Sequence, residues 1–275
     1  MRSTFRQDSQ GRSVLDMRAA ARRRAVELPD LPELSDADRA VAVRTWRGRM
    51  VNEHISAQVW SSLLGQAMRA TLPAKVLAGV AEAASDELRH AEQCAAVVSA
   101  LGGQPVAHLP PLETVPDHAE VPPLEGFLRN LISVGCMSET VAVSVIRAEH
   151  AELDGSALSS VLDTILADEV QHARLGWEVL GLVAPLLDDG ARARLDAYLV
   201  DALVHQVDHE LAHLPLHNGA SPEAAQAGVC DGGFARAVFF DTITDVIVPG
   251  LERAGLDANA AWTQAQAILS ARRAS

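Results

Sequence analysis

Aromatic residues and cysteines are scarce in this chain of 275 residues. Phenylalanine, tryptophan and tyrosine together make up 4% of the sequence, and cysteine occurs three times, at Cys94, Cys136 and Cys230. No two cysteines form a C-x-x-C pair, which argues against a disulfide-stapled secreted module and a cysteine-ligated metal domain. Because alanine and leucine abound while β-branched alternation is rare, the composition favours helices with an aliphatic core.

Basic side chains are fewer than acidic ones. Lysine and arginine total 23 against 36 aspartates and glutamates, which gives a formal net charge of −13. A nucleic-acid scaffold needs a basic face to contact phosphates, so we expect no nucleic-acid partner. No uncharged apolar run reaches the roughly 18 residues that a membrane span requires, so we expect no membrane partner.

The first 24 residues lack the apolar core of a signal peptide. They carry seven arginines, at positions 2, 6, 12, 18, 22, 23 and 24. Asp8 and Asp16 do not fit an arginine-rich transit peptide either. We therefore predict that residues 1–34 form an arginine-rich N-terminal arm that packs on the domain or on a neighbouring subunit. The expected compartment is the cytoplasm.

Apolar residues recur at helical spacing through most of the remaining chain. This pattern predicts four long helices, over about residues 37–72, 73–102, 124–153 and 156–187. The proline-rich segment 103–123 is predicted to be a structureless connection that crosses the length of a helix pair. The first two helices and the last two would each form a hairpin, turning at Pro73 and at Asp154–Gly155.

Together these elements predict an all-α fold. Residues 35–190 would form a four-helix bundle of two helical hairpins with one long crossover. Residues 191–275 would form a helical extension that packs on the bundle. We expect it to contain a helix over about 191–214 and two shorter helices, broken at Pro249–Gly250.

A repeated motif lies on the second helix of each predicted hairpin. Residues 86–90 read DELRH and residues 168–172 read DEVQH, so both copies have the form D-E-x-x-H. Glu and His three residues apart share one face of a helix and can reach the same metal ion. One such pair is a weak signal, but two copies at equivalent places indicate a shared site.

The first helix of each hairpin contributes one isolated carboxylate. Glu53 is the only formally charged residue within positions 50–68, and these positions are otherwise largely apolar. Glu139 is likewise the only formally charged residue within positions 130–146. A lone buried carboxylate is costly and persists only when it is paired or bound to metal.

The spacing of these residues places them at similar heights in the bundle. Glu139 lies 15 residues before Asp154 and Glu169 lies 15 residues after it. At about 1.5 Å per residue, the two reach the same level on antiparallel helices. The corresponding glutamates of the first hairpin lie 20 and 14 residues from Pro73, which is a looser match.

These observations predict one metal site with four carboxylates and two imidazoles. Four carboxylates balance two divalent cations, and oxygen and nitrogen ligands suit iron or manganese better than a structural zinc. We expect two iron ions, with manganese or a mixed pair as the alternative. The predicted ligands of this metal site are Glu53, Glu87, His90, Glu139, Glu169 and His172.

Over about residues 37–187 the sequence resembles the ferritin-like superfamily of di-iron carboxylate proteins. The resemblance rests on the six predicted ligands and on the two D-E-x-x-H motifs. The D-E-x-R-H form of residues 86–90 is similar to that of bacterial multicomponent monooxygenases. That resemblance implies that Asp86 and Asp168 orient ligand histidines, as a second hydrogen-bond partner of a ligating imidazole should. Gln171 replaces the arginine of that pattern in the second copy, and Ile165 stands where aminoarene N-oxygenases carry an additional histidine.

The resemblance implies a di-iron oxidoreductase that activates dioxygen to oxidise a small organic substrate. An external electron donor would supply its electrons. A homodimer is one assembly that the sequence allows. Iron handling or ferroxidase activity without an organic substrate is the alternative. Small residues beside the lone glutamates would leave room for a substrate. The candidate pocket lining is Ser56, Ala57, Trp60, Cys136 and Val143.

A second metal motif predicts a different enzyme class. Residues 209–213 read HELAH, the H-E-x-x-H pattern of zinc metallopeptidases. Pro215 follows where the active-site helix should continue, which weakens that interpretation, and Glu223 is the candidate third ligand. His205 extends the pattern to a stripe of three histidines, for which a polar helix face and a second metal site both stay open.

Overall fold

The computed structural model describes residues 6–7, 13–112, 114–153, 155–214 and 220–274. Counting each continuous stretch once, the described residues form nine helices and one small sheet of three short strands. The predicted all-α class is therefore confirmed. The predicted domain boundaries at residues 35 and 191 stay predictions.

The first hairpin consists of α2 (Asp36–Arg69) and α3 (Ala74–Ala100). The side chain of Ser35 accepts a hydrogen bond from the backbone N–H of Asp38 and so caps the start of α2. Gly102 ends α3 with a φ of 81°, a left-handed conformation in which glycine has no steric cost. The two helices pack against each other along their length.

The second hairpin contains one continuous helix that changes geometry in the middle. It begins as α4 (Pro123–Leu131), continues as a π-helical segment (Ile132–Ser138) and ends as α5 (Glu139–Glu152). Its partner α6 (Ala157–Val183) begins after Ser156, whose side chain accepts from the N–H of Ser159. The sequence predicted the helix but not its π-helical turns.

This continuous helix, Pro123–Glu152, is long and apolar enough by composition to cross a membrane. In the structure its two halves pack against α2, α6, α7 (Asp189–His213) and α9 (Gly232–Thr242), and it carries Glu139 inside the bundle. Helices in protein cores have the same composition, so this property by itself does not indicate a membrane span.

The N-terminal arm is tied to the crossover by a small antiparallel sheet. Strand β1 (Arg6–Gln7) pairs with β2 (Ser13–Asp16), which pairs with β3 (Val106–His108). The short helix α1 (Arg18–Arg23) packs on α3. The prediction of a structureless crossover over 103–123 was therefore wrong for residues 106–108. Strands this short gain their stability from pairing with a distant segment, which leaves little local signal.

The C-terminal extension consists of α7 (Asp189–His213), α8 (Pro222–Gln226), α9 (Gly232–Thr242), a π-helical segment (Ile243–Ile247), α10 (Val248–Arg253) and α11 (Ala258–Ala274). The predicted break at Pro249–Gly250 was wrong, because the helix continues to Arg253 and turns at Gly255, whose φ is 82°. Pro249 follows a π-helical turn, where irregular hydrogen bonding tolerates the missing N–H of proline.

Two separate hydrophobic cores fill the bundle. One lies around Trp60, Val80 and Phe127, and the other lies around Trp46, Cys94 and Leu162. Along α2, α3 and α6 the predicted ligands fall between the residues that belong to the two cores. The bundle therefore holds a polar layer with an apolar core on each side.

Candidate metal centre

The structure brings the six predicted ligands together in the polar layer of the bundle. Each of α2 and α5 supplies one glutamate, and each of α3 and α6 supplies a glutamate and a histidine. Five of the six are buried, and the side chain of Glu53 is the most accessible, at 15% exposure. We call these residues the carboxylate–histidine cluster: Glu53, Glu87, His90, Glu139, Glu169 and His172.

The cluster divides into two overlapping groups of ligand atoms. Glu87 and Glu169 belong to both groups. Glu53 and His90 complete the first group, and Glu139 and His172 complete the second. Within each group the ligand atoms lie within 4.8 Å of one another, close enough to surround one ion. Two groups that share two carboxylates are what a pair of metal ions with two bridging glutamates requires.

The two histidines are held by aspartates of the opposite motif. His90 Nε2 lies 3.0 Å from Asp168 Oδ2, and His172 Nε2 lies 3.3 Å from Asp86 Oδ2. Both contacts leave Nδ1 of the imidazole directed into the cluster, where it can bind a metal ion. The resemblance implied orienting roles for both aspartates, but it did not imply that the contacts cross between α3 and α6.

Arg89 connects the two aspartates. Its guanidinium donates to Asp86 Oδ1 at 2.6 Å and to Asp168 Oδ2 at 2.7 Å. The residue is 32% exposed, so the network reaches from the solvent to both histidines. Gln171, the equivalent residue of the second motif, is exposed. One arginine between the two aspartates therefore serves both histidines.

Trp60 has a contact that sequence reasoning missed. It was predicted to line a pocket, and in the structure its Nε1 donates to Glu139 Oε1 at 2.8 Å. Its ring centroid lies 5.8 Å from that of His172. Because Trp60 is seven residues after Glu53 on α2, its helical spacing placed it near the cluster, but spacing does not identify its hydrogen-bond partner.

The other candidate pocket residues have varied environments. Ala57 and Cys136 are buried, whereas Ser56 and Val143 are partly buried. Two cavities in the described part of the chain have volumes of about 280 and 360 Å³, and none of the five candidate residues lines either one. Their assignment to a substrate pocket stays a prediction.

Burial and crowding of charges change the acidity of the cluster residues. Burial, together with the nearby Glu87 and Glu169, raises the pKa of Glu53 to about 8. Burial raises the pKa of Glu139 well above its ordinary value, with the charge of Glu169 adding to the effect. Burial alone would lower the pKa of His172, but contacts with Glu169 and Glu87 raise it to about 11. Protons thus partly neutralise the four carboxylates when no other cation does.

The donor set fits a pair of divalent metal ions. Glu87 Oε1 and His90 Nδ1 are buried and make no hydrogen bond, although buried polar atoms normally have partners. His90 Nδ1 lies 3.3 Å from Glu169 Oε1 and 3.6 Å from Glu53 Oε2. Metal ions at the two groups would supply the missing partners and balance the buried negative charge.

Replacing Asp168 with asparagine should lower metal affinity about 10- to 100-fold, because His90 loses its charged partner. Metal titrations of the apoprotein, followed by fluorescence or calorimetry, would measure this change. Asp163→Asn is a matched control, since this exposed aspartate of α6 also lies beside a histidine, 2.8 Å from His150 Nε2. Equal losses of affinity in both variants would contradict the orienting role.

Metal binding at pH 7 should release protons from the cluster. The pKa of Glu53 is about 8 and that of His172 about 11 without metal, so both are mostly protonated at neutral pH and must lose protons to bind. Affinity should therefore fall as the pH is lowered. Calorimetry with manganese(II) in two buffers of different ionisation enthalpy would measure the release. An observed enthalpy that is the same in both buffers would contradict this prediction.

The H-E-x-x-H motif lies on the last turns of α7. His205, His209 and His213 are exposed, and His213 Nδ1 donates to the backbone carbonyl of His209 at 2.8 Å. Glu210 accepts from Gln206 on its own helix, and burial raises its pKa to about 7. Among the described residues, no group of three or more metal-ligating side chains includes this motif, and Glu223 lies on α8. Pro215 lies outside the described residues.

Comparison with known proteins supports the fold. No protein-family model matches the sequence, and no curated protein matches it. Among solved structures, the chain is similar to a Synechococcus protein described as Protein 19 with aldehyde deformylating oxidase activity. The TM-score is 0.57 at 19% identity, over 86% of this chain and 97% of the other. The resemblance to ferritin-like di-iron carboxylate proteins that the motifs predicted is thereby confirmed at the level of the fold.

Proposed function

We propose that this protein is a di-iron oxidoreductase that uses dioxygen to oxidise a small organic substrate. The observation that carries the proposal is the pair of ligand groups that share Glu87 and Glu169. A site for a single structural ion would not require two buried histidines, each with its own group of carboxylates. The similarity to a protein with aldehyde deformylating oxidase activity supports the same class of reaction.

The side chains around the cluster would hold and shield a metal pair. Glu53 and His90 would bind one ion, Glu139 and His172 the other, and Glu87 and Glu169 would bind both. Iron at these positions supplies one-electron redox chemistry and the capacity to activate dioxygen. The chain's own contribution is to orient the ligands and exclude water.

Three contacts fix that orientation. Asp168 and Asp86 hold the outer nitrogens of His90 and His172, and Trp60 holds one oxygen of Glu139. Preorganised ligands need no rearrangement during a reaction, which lowers its barrier. The two apolar cores above and below the polar layer limit access of water, so a substrate oxidised here must be accommodated within the bundle.

Aldehydes are the first substrates to test, because the similar structure belongs to a protein described as having aldehyde deformylating oxidase activity. The experiment loads purified protein with iron(II) without oxygen and removes unbound iron. It then admits dioxygen and measures its uptake with no free reductant present, so that iron(II) is the electron source. Products from a panel of aldehydes, alkanes and aromatic amines are identified by mass spectrometry. We expect uptake that depends on iron and increases with at least one substrate, which then appears in oxidised form.

Iron handling is the outcome that would overturn this proposal. In that case dioxygen uptake would match the iron added and would be the same with every organic compound. Glu82→Gln is a suitable control variant, because Glu82 is an exposed carboxylate on α3 outside the cluster. It should retain both iron loading and substrate-dependent uptake.

A further inference from the structure

The charge of this chain is distributed unevenly. Residues 1–50 contain 11 arginines and seven acidic residues, whereas residues 51–275 contain 12 basic and 29 acidic residues. The first part of the chain is therefore positive and the rest is strongly negative. Such an asymmetry creates a local field that a net charge of −13 does not reveal.

Part of this positive charge surrounds a cleft at the end of the first hairpin. The cleft has a volume of about 360 Å³ and is lined by arginines of α1, by Ser99 and by the turn that follows α3. Among the described residues, no acidic side chain lines it. The complete lining is Arg18, Arg22, Ser99, Gly102, Gly103, Gln104 and Pro105.

Two arginines of α2 extend the basic rim. Arg39 donates to the carbonyl of Leu101 at 3.4 Å, and Arg47 donates to that of Gln104 at 3.2 Å. Val43, halfway between these arginines, packs closely against Gly103 and so holds α2 against the turn. We define the basic cleft as Arg18, Arg22, Arg39, Arg47 and residues 99–105.

Acidic side chains neutralise only part of this surface. Arg18 is paired with Asp16 at 2.6 Å, and Glu92 is shared between Arg23 and Arg24 next to the cleft. Arg22 and Arg39 are exposed at the surface. Counting the described residues, the cleft therefore keeps a net positive charge and can accept carboxylates from a partner.

The same two helices lead from the basic cleft to the carboxylate–histidine cluster. Arg47 is six residues before Glu53 on α2, a rise of about 9 Å, and Ser99 is nine residues after His90 on α3, about 14 Å. A protein seated in the cleft would thus lie at the end of the bundle directly above the ligands of the first group.

We propose that the basic cleft docks an acidic one-electron carrier protein that reduces the metal centre, an inference that rests on the proposed function. Each encounter transfers one electron, so the carrier is oxidised once and one iron(III) ion is reduced to iron(II). Two encounters supply both ions. Opposite charges steer such an encounter and raise its association rate, which then falls with ionic strength.

A small acidic protein fits this surface better than a long polyanion. The basic cleft is a local patch, and a nucleic-acid duplex extending beyond it would meet the acidic remainder of the chain. A cleft of this size accommodates a few side chains, such as aspartates and glutamates on one face of a compact partner.

Binding of an oxidised plant-type [2Fe–2S] ferredoxin to the iron-loaded protein tests the proposal without measuring activity. We expect binding at low ionic strength that weakens as salt is added, and about tenfold weaker binding by the double variant Arg22→Gln, Arg39→Gln. Arg272→Gln is the matched control, because this exposed arginine on α11 is ion-paired with Asp208 away from the cleft. Equal affinity of the double variant and wild type, or no binding to wild type, would overturn the proposal.

Reduction kinetics separate this proposal from the proposed function. The double variant should be reduced about tenfold more slowly than wild type by reduced ferredoxin, and at an equal rate by reduced methyl viologen, a small cation. Slower reduction by both donors would indicate a perturbed metal centre and contradict docking.

Absence of iron from wild type would overturn the proposed function, while the binding comparison with the unloaded protein would still decide the docking. Arginine-dependent binding to anionic lipid vesicles but not to ferredoxin would assign the cleft to a membrane surface instead and overturn the proposal.

Discussion

Replacing Glu87 with glutamine is expected to remove both metal ions from the protein. Glu87 belongs to both ligand groups, so its loss deprives each ion of a charged oxygen ligand at once. The three remaining carboxylates also balance less of the charge of two divalent ions, which further weakens binding of the second ion. Metal content after anaerobic loading and desalting should fall from about two ions per chain to well below one. Glu169→Gln should behave in the same way.

Replacing Glu139 with alanine should have a smaller effect. Glu139 belongs to the second group alone, so the first group keeps all four of its side chains. Metal content should fall from two ions per chain to about one, and Glu53→Ala should give the same value through loss of the first group. Equal metal content in the Glu87 and Glu139 variants would contradict the shared arrangement.

Replacing Gly176 with alanine should destabilise the protein by about 3 kcal/mol. The backbones of α6 and of the π-helical segment touch at this point. A Cβ atom on Gly176 would lie 2.5 Å from the backbone carbon of Gly135, and backbone atoms cannot move aside as a flexible side chain can. Thermal unfolding should occur roughly 5–10 °C lower than in the wild type.

The same helix offers a matched control for this variant. A Cβ atom on Gly181 would have nothing within 4 Å, and alanine has the higher helix propensity. Gly181→Ala should therefore leave stability unchanged or raise it by up to about 1 kcal/mol. Because Gly176 is one turn from His172 and Gly135 one turn from Glu139, the Gly176 variant should also bind metal more weakly. A stable Gly176→Ala protein with full metal content would show that this contact does not set the helix spacing.

The sequence was sufficient to predict the long helices and the six members of the cluster. Helical spacing of apolar residues gave the four bundle helices, because each must bury one face along its length. Glu53 and Glu139 were identified because each is a single charge in an apolar segment. The repeated D-E-x-x-H motif then located the other four residues and their shared face.

Features that depend on contacts between distant segments could not be predicted. The crossed contacts of Asp86 and Asp168 depend on the relative rotation of α3 and α6, which no local pattern records. The hydrogen bond from Trp60 to Glu139 joins residues 79 positions apart. In the C-terminal extension, the continuation of the helix through Pro249 depends on a π-helical turn, and π-helical turns have no reliable sequence signature.

The basic cleft also escaped sequence reasoning. The net charge of −13 does not record where the basic residues lie, since summing charges removes their positions. The sequence identified the arginines of the N-terminal arm. Arg39 and Arg47 of α2 join them only because α1, α2 and the turn after α3 form one surface in the fold.

X-ray absorption of the iron-loaded protein tests the central claim most directly. The two overlapping ligand groups predict two irons per chain, each bound by oxygen and nitrogen, with an iron–iron separation of roughly 4 Å or less. The same measurement on Glu87→Gln should show no such pair. A single isolated iron, or two irons without a short mutual distance in the wild type, would contradict the assignment of Glu87 and Glu169 as shared ligands.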